Sequence, residues 1–182
     1  MQSLSNTTSF VFEKLQSHHD RAAFDCGTRA LNDFLARQAK QNADRNLGVT
    51  HVAVATAGDP KIFAYYTLVT RTVEADIVPS KKLPRSEIGV VLLGRLGVDK
   101  EAQGKGLGSL CVLRAMEQAA RAAEEIGIYA LVLDAKDERA RNWYHHLGFG
   151  FKALLDDPNH LYITIDTIRQ VLAALLEEDN NP

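Results

Sequence analysis

The amino-acid sequence predicts an α/β fold with helices and strands interleaved along the chain. Three observations point to it. Residues 92–98 form a glycine-containing apolar run, and the glycine-rich segment Asp99-Lys-Glu-Ala-Gln-Gly-Lys-Gly-Leu-Gly108 follows and opens a long amphipathic pattern. That is the order strand, tight turn, helix. Residues 50–56 and 62–75 read as two strands joined by the turn signal Gly58-Asp59-Pro60. Residues 128–133 are an unbroken apolar run, suited to a strand covered on both faces.

A chain of 182 residues is long enough to bury a real core, and we take it as a single domain over 9–182 behind a polar, flexible N-terminus at 1–8. Its hydrophobic share of 46% is that of a globular protein. A formal charge of -2 gives no whole-chain attraction to nucleic acid, so any such contact needs a local basic patch. Cys26 and Cys111 lack metal-type spacing and read as buried free thiols of a reducing compartment. No signal-peptide pattern or membrane-length apolar run is visible, which leads us to expect a cytoplasmic protein with no membrane partner.

In chain order, residues 9–15 suggest a first strand, and His18-His19-Asp20 a turn. Thr28 is a good N-cap for an amphipathic helix whose apolar face carries Leu31, Phe34, Leu35 and Ala39, fraying near Asn46-Leu47-Gly48. Residues 78–85, with two prolines, form a surface connection. Residues 88–98 are the next strand, where Gly89, Gly94 and Gly97 signal a bulge or a close approach. The helix over 106–125 should pack Leu110, Cys111, Leu113, Met116, Ala119, Ala120 and Ala123 on the sheet and end at Gly127. A short helix over 138–146 stops at Gly148. Residues 149–154 and 160–167 read as closing strands, and 168–176 as a terminal helix.

Chemistry concentrates in two places. In the first, Gly104, Gly106 and Gly108 stand at every second position. Without a Cβ they let backbone N–H groups approach an anion, and the following helix adds unpaired N–H groups and the positive end of its dipole. A phosphate is the expected occupant, although Gly-x-Gly also caps helices and closes turns. Neither a P-loop ending nor an N-terminal Rossmann position is present. Gln103-Gly-Lys-Gly-Leu-Gly108 instead resembles the Gln/Arg-x-x-Gly-x-Gly/Ala acetyl-CoA loop of the GNAT N-acetyltransferases. In the second, Asp137-Glu-Arg-Ala-Arg-Asn-Trp-Tyr-His-His-Leu-Gly-Phe149 is similar to the family's Asn-x-x-Ala-x-x-x-Tyr-x-x-x-Gly-Phe segment, with Asp137 where many members carry Asn. Phe24-Asp-Cys-Gly-Thr-Arg-Ala-Leu-Asn-Asp-Phe-Leu35 and Gly94-Arg-Leu-Gly-Val-Asp99 look like segments of the GNAT toxins of bacterial toxin–antitoxin pairs.

The resemblance implies a GNAT fold: a mixed, mostly antiparallel central sheet with splayed strands, flanked by helices. It implies acetyl-CoA as co-substrate and no metal. Backbone at Leu96, Gly97 and Val98 would meet pantetheine, and Gln103, Gly104, Lys105, Gly106, Leu107, Gly108 and Ser109 would hold the pyrophosphate. Asp137 would add a cofactor contact, and Tyr144 would face the coenzyme A sulfur as general acid. A phenol titrates near ~10 and a thiol near ~8.5, so full proton transfer to a free thiolate is uphill by about 2 kcal/mol. Tyr144 is therefore expected to stabilise developing charge, with transfer concerted or completed by water. Among partners, the resemblance implies aminoacyl-tRNA as substrate, a ribbon–helix–helix antitoxin and a homodimer.

Plainer readings stand beside these. Tyr144 can be an ordinary half-buried helix tyrosine, Trp143 fits packing better than stacking on substrate, and His145 and His146 fit a surface or rim. Lys105 is a solvated lysine or an anion contact, and Arg95 a substrate contact or a structural ion pair. Arg29, Arg37, Lys40, Arg45, Lys81, Lys82 and Arg85 are a solvated surface unless they converge. Glu74, Asp76 and Glu87 are weak candidates for a base. Three function classes remain: a toxin acetylating the α-amine of aminoacyl-tRNA, a metabolic or protein N-acetyltransferase acting on a small amine or peptide, and a non-catalytic acetyl-CoA-binding module. Tyr144 argues against the third. A small antitoxin gene immediately upstream would favour the first.

Overall fold

A computed structural model describes residues 9–179, so the expectation of a flexible 1–8 lies outside the described residues. The elements are β1 (Val11–Lys14), α1 (Arg29–Arg37), α2 (Ala39–Asp44), β2 (Val49–Val54), β3 (Ala64–Glu74), β4 (Glu87–Val98), α3 (Leu107–Glu125), β5 (Ala130–Asp134), α4 (Glu138–His146), β6 (Lys152–Ala153), β7 (His160–Thr164) and α5 (Ile165–Asp179). Seven strands form one sheet in the order β1-β2-β3-β4-β5-β7-β6. The β4–β5 pair is parallel, while β1–β2, β2–β3, β5–β7 and β6–β7 are antiparallel. This is the mixed α/β sheet expected from the sequence.

Two compact units divide the chain. One holds the residues up to Val69 together with Gly94–Leu113, and the other Thr70–Leu93 together with the chain from Arg114. The elements β3, β4 and α3 each begin in one unit and end in the other.

In the first unit, β2 lies between β1 and β3, with Val11↔Val54 and Val52↔Tyr65 among its register pairs. Its core joins Leu15, Phe24, Phe34, Leu35, Ala39, Val52, Val54, Ile62 and Tyr65. The apolar face read for the first helix is the one that packs. The single helix expected there is two: Gln38 separates them, its φ opened to -116° within the right-handed region, and Ala39 opens α2 fully buried. Thr28 sits at the N-cap of α1, but its side chain makes no capping hydrogen bond; its carbonyl accepts from Leu31 and Asn32 instead.

His51 of β2 is buried and stacks on Tyr66 at 5.1 Å and 13°. Its Nδ1 is buried with no hydrogen-bond partner among the described residues. Burial, and then the charge of Lys14, bring its pKa down to about 4. An unfolded histidine titrates near ~6.5 and takes up a proton that the folded one refuses. Stability present above that value is therefore lost as pH falls from ~6.5 towards the folded pKa, by roughly 2 kcal/mol. A His51→Phe variant keeps a ring on Tyr66 and should lose that part of the acid sensitivity. Urea denaturation at neutral pH and near pH ~4.5 measures the difference; equal pH slopes in both proteins would refute it.

In the second unit, the parallel ladder runs Val90↔Ala130, Val91↔Leu131 and Leu92↔Val132, and β7 covers the other side of β5. Gly89 marks a close approach as expected, made by backbone: a Cβ there would stand 2.9 Å from the Gly127 carbonyl oxygen. The sheet-facing side of α3 is rotated from the expected one. Leu107, Cys111, Val112, Ala115, Met116, Ala119 and Ala120 are buried, while Leu110, Leu113 and Ala123 are only partly so. The helix ends at Glu125, and Gly127 does not take the left-handed conformation that would cap it. The expected strand over 149–154 shrinks to β6, and that over 160–167 stops at Thr164. Thr164 Oγ1 accepts from the backbone N–H of Thr167 at 3.2 Å. A β-branched run that reads as strand is thus cut short by a hydroxyl acting as a helix cap. No helix among the described residues is long and apolar enough to cross a membrane.

Candidate active site

The phosphate-loop candidate lies wholly in the first unit. Asp99, nearly buried, shapes its start: Oδ1 accepts from Glu101 N and Oδ2 from Asp25 N, both at 3.0 Å, and its own N–H donates to the Phe63 carbonyl. A short 3-10 turn, Lys100–Ala102, follows, pinned by buried Ala102. Gly104 and Gly106 then take φ +74° and +80°. Only glycine adopts such angles without strain. No atom lies within 4 Å of a Cβ placed at either, so the loop opens outward. Leu107 begins α3, as the sequence placed it, and Leu110 N donates to Gly106 O at 3.1 Å. The first N–H groups of a helix have no partner within it, and here Gly108 and Ser109 supply two of them. The donor set fits a phosphate.

Two loop side chains have defined partners. Gln103 Nε2 donates to the carbonyls of Val98 at 2.9 Å and Cys26 at 3.0 Å. Lys105 Nζ folds back onto the Glu101 carbonyl at 2.9 Å. Gln103 therefore braces the loop with its amide nitrogen, a role that its position in the motif did not disclose. The brace has a second half: Lys100 N donates to Asp25 O, and Lys100 Nζ pairs with Asp25 Oδ2 at 2.7 Å. That lysine, followed by the Gly27 N–H and the Asn32 amide, brings the Asp25 carboxyl down to about 2.

Of the β4 residues, Leu96 and Val98 are half-buried. Gly97 is buried under two rings: a Cβ would lie 3.0 Å from Tyr65 Cε1 and 3.3 Å from Phe24 Cζ. Arg95 is exposed, with its guanidinium 3.9 Å from the Phe34 ring centroid in a cation–π contact. Cys26 is half-buried rather than buried, with Sγ 3.2 Å from Asn32 Oδ1. Cys111 is buried, and burial pushes its thiol up to about 12.

Glu13, His18 and His19 form a group that could hold a metal ion. The hydrogen bonds argue otherwise. Gln16 N–H donates to His19 Nδ1 at 2.9 Å, so the neutral ring carries its proton on Nε2, which donates to Glu13 Oε1 at 2.8 Å. The nitrogen facing the carboxylate is a donor, not a lone pair.

The second unit carries Asp137 and Tyr144. Asp137 is the N-cap of α4 and accepts from Ala140 N at 2.8 Å. That places an acid at the positive end of the helix. Tyr144 is half-buried, its ring edge-on to Trp143 (4.8 Å, 72°) and to Phe151 (5.7 Å, 64°). Trp143 thus packs on the tyrosine while remaining 38% exposed. His145 and His146 are exposed, the latter bonded to the Asn142 carbonyl. Gly148 ends the segment at φ +75°. Glu74, Asp76 and Glu87 are exposed.

A cluster that the sequence did not reveal also lies in this unit. Arg71 NH1 donates to Asp134 Oδ2 at 3.1 Å, and Asp134 Oδ1 lies 3.6 Å from His160 Nε2. His160 Nδ1 lies 3.0 Å from Asp156 Oδ2. Burial raises the Asp156 carboxyl, but the His160 hydrogen bond and charge bring it below the ordinary value.

The family described as an acetyltransferase (GNAT) domain matches residues 48–150, and the chain belongs to the GNAT acetyltransferases. Over 162 residues, 87% of this chain and 94% of the relative, it is 29% identical to the tRNA-acetylating toxin of Mycobacterium tuberculosis (strain ATCC 25618 / H37Rv). Among solved structures it resembles AtaT complexed with acetyl-methionyl-tRNAfMet at a TM-score of 0.83, with 29% identity over 90% of this chain and 99% of that one. It also resembles a tyrosine-to-phenylalanine mutant of the AtaT toxin bound to the C-terminus of the antitoxin AtaR and acetyl-CoA, at a TM-score of 0.76, with 26% identity over 90% and 98%.

Proposed function

We propose that this acetyltransferase moves acetyl from acetyl-CoA to the α-amino group of aminoacyl-tRNA, as a translation-blocking toxin of the cytoplasm held by an antitoxin and active as a homodimer. The observation that carries the reading is its likeness, across nearly the whole of both chains, to a toxin solved with an acetylated aminoacyl-tRNA. The likeness to the antitoxin- and acetyl-CoA-bound toxin supports the partner and the co-substrate. We read residues 9–182 as one acetyltransferase domain, since the family match and three elements run through both units.

On this reading the Leu96 and Val98 backbone bonds pantetheine as an added strand would, with Gly97 keeping that strand close to its core. N–H groups from Gly104 to Ser109 hold the pyrophosphate. Gln103 fixes the loop, and Lys105 exchanges its carbonyl for a phosphate oxygen. Asp137 starts the helix that presents Tyr144, and the Tyr144 hydroxyl stabilises the departing thiolate. Arg95, seated on Phe34, is free at its outer edge to meet an RNA phosphate. The amine of an aminoacyl ester titrates below the ~7.7–8 of an ordinary α-amine, so much of it is already a nucleophile at neutral pH.

The test is labelled acetyl transfer to charged tRNA, uncharged tRNA, polyamines and peptides in parallel. Label on charged tRNA alone is expected, weakening steeply as salt rises. Label on polyamine or peptide but none on charged tRNA would leave an acetyltransferase of small amines or peptides.

A further inference from the structure

Asp134 is the last residue of β5, two positions beyond the end of the parallel ladder at Leu92↔Val132. In open parallel α/β sheets ligands gather outside the carboxyl ends of the strands, and β4–β5 is a parallel pair of this sheet. Its side chain is 60% exposed, so solvent or substrate reaches it. Behind it stands His160, its register partner on β7, with a side chain only 6% exposed.

The hydrogen bonds fix the state of that ring. Asp156 can only accept, so His160 Nδ1 carries the proton and the neutral ring turns the Nε2 lone pair towards Asp134. Nε2 is buried and has no hydrogen-bond partner among the described residues. A proton there would bond to Asp134 Oδ1 and give both ring nitrogens a carboxylate. The order carboxylate, imidazole, open Nε2 is that of the histidine base in serine hydrolases.

We propose that Asp134, backed by His160, removes the proton from the ammonium form of the acceptor amine, an inference that rests on the acetyltransferase reading. One N–H bond of the ammonium breaks, and its electron pair stays on nitrogen as the nucleophile. The proton passes to Asp134 Oδ1 and on to His160 Nε2, forming an imidazolium between Asp134 and Asp156. After attack the C–S bond breaks, the thiolate leaves with the electron pair, and the second amine proton goes to sulfur by way of Tyr144 or water. His160 returns its proton to solvent through Asp134. A lone carboxylate, near ~3.9, holds a proton about 10³- to 10⁴-fold less well than an α-amine near ~7.7; an imidazole near ~6.5 falls short by only about tenfold. The backing ring thus makes the transfer easy.

The charged groups around the ring are Asp156 on the β6–β7 connection, Asp134 on β5 with Arg71 of β3 on its other oxygen, and Arg141 of α4. Arg141 bonds the neighbouring Asn159 at 3.2 Å and pairs with Glu138. Arg71 holds Asp134 in place.

The test is the pH profile of kcat/KM for Asp134→Asn and His160→Gln on charged tRNA. At pH ~6.5 each is expected to lose about five- to tenfold, the inverse of the fraction of amine already unprotonated there, and the loss should shrink towards wild type near pH ~9, where the amine sheds its proton unaided. KM for acetyl-CoA should not move, and the double variant should be no worse than either single one. A loss constant across pH, or none at pH ~6.5, would overturn the proposal. Should His160→Gln fail to fold, the exposed Asp134→Asn and nitrogen NMR of the wild-type ring still decide: a proton found on Nε2 instead of Nδ1 at neutral pH overturns it. If label goes to another amine instead of charged tRNA, the same profiles are read on that amine. The substrate assignment then falls while the base stands or falls by its pH dependence. No label on any amine overturns both.

Discussion

Replacing Tyr144 by phenylalanine is expected to lower the acetyl-transfer rate by ~10²-fold or more while leaving acetyl-CoA affinity nearly unchanged. The ring contacts make the expectation specific. Trp143 and Phe151 hold the tyrosine edge-on, and a phenylalanine ring fills the same space against both. Only the hydroxyl is lost, and both ring contacts persist. A group that stabilises charge only as the thiolate departs acts in the transition state and not in the bound complex. The rate constant should therefore fall without a compensating change in binding. Single-turnover transfer with calorimetry of the same preparation separates the two. A near-normal rate would assign Tyr144 to packing.

Gly106→Val is expected to weaken acetyl-CoA binding about tenfold or more, with little change in thermal stability. Its cause is conformational. Gly106 stands at φ +80°, where a β-branched residue is disfavoured by at least 1–2 kcal/mol. No neighbour lies within 4 Å of the added Cβ, so the free loop can relax outward without disturbing the core. The relaxed loop would no longer aim its N–H groups at one point, and about 1.4 kcal/mol is tenfold in affinity. Calorimetry with acetyl-CoA decides; unchanged affinity in a folded variant would place the phosphates elsewhere.

The local structure around both residues was legible in the sequence because its signals are local, while their roles came from the family resemblance. A left-handed glycine pair before a helix and an Asp-capped helix stopped by glycine each span a few residues. The bounds of α4 were read without error. What escaped depends on distant pairing. Gln103 and Cys26 are 77 positions apart, and the carbonyl that Gln103 seeks carries no side-chain signature. Arg71, Asp134 and His160 come from three strands, and only the register Asp134↔His160 brings two of them together. The start of α5 was missed for a different reason. Its Thr and Ile residues favour strands by propensity, and the Thr164 hydroxyl decided the contest. Gln38 breaks the first helix where the apolar spacing continues unbroken, so periodicity alone ran past it.

The division into two compact units has a consequence for how the chain is made. Each unit is discontinuous: the first needs Gly94–Leu113 to be complete, and the second begins at Thr70 but gathers most of its residues after Arg114. During synthesis from the N-terminus, therefore, the first unit cannot finish before residues 70–93 of the second have been made, and the second finishes last. The glycine-rich loop exists on a nascent chain well before Tyr144 does. A chain truncated between them carries that loop and lacks Tyr144, so for a protein that would attack translation through it, an incomplete copy is a harmless one.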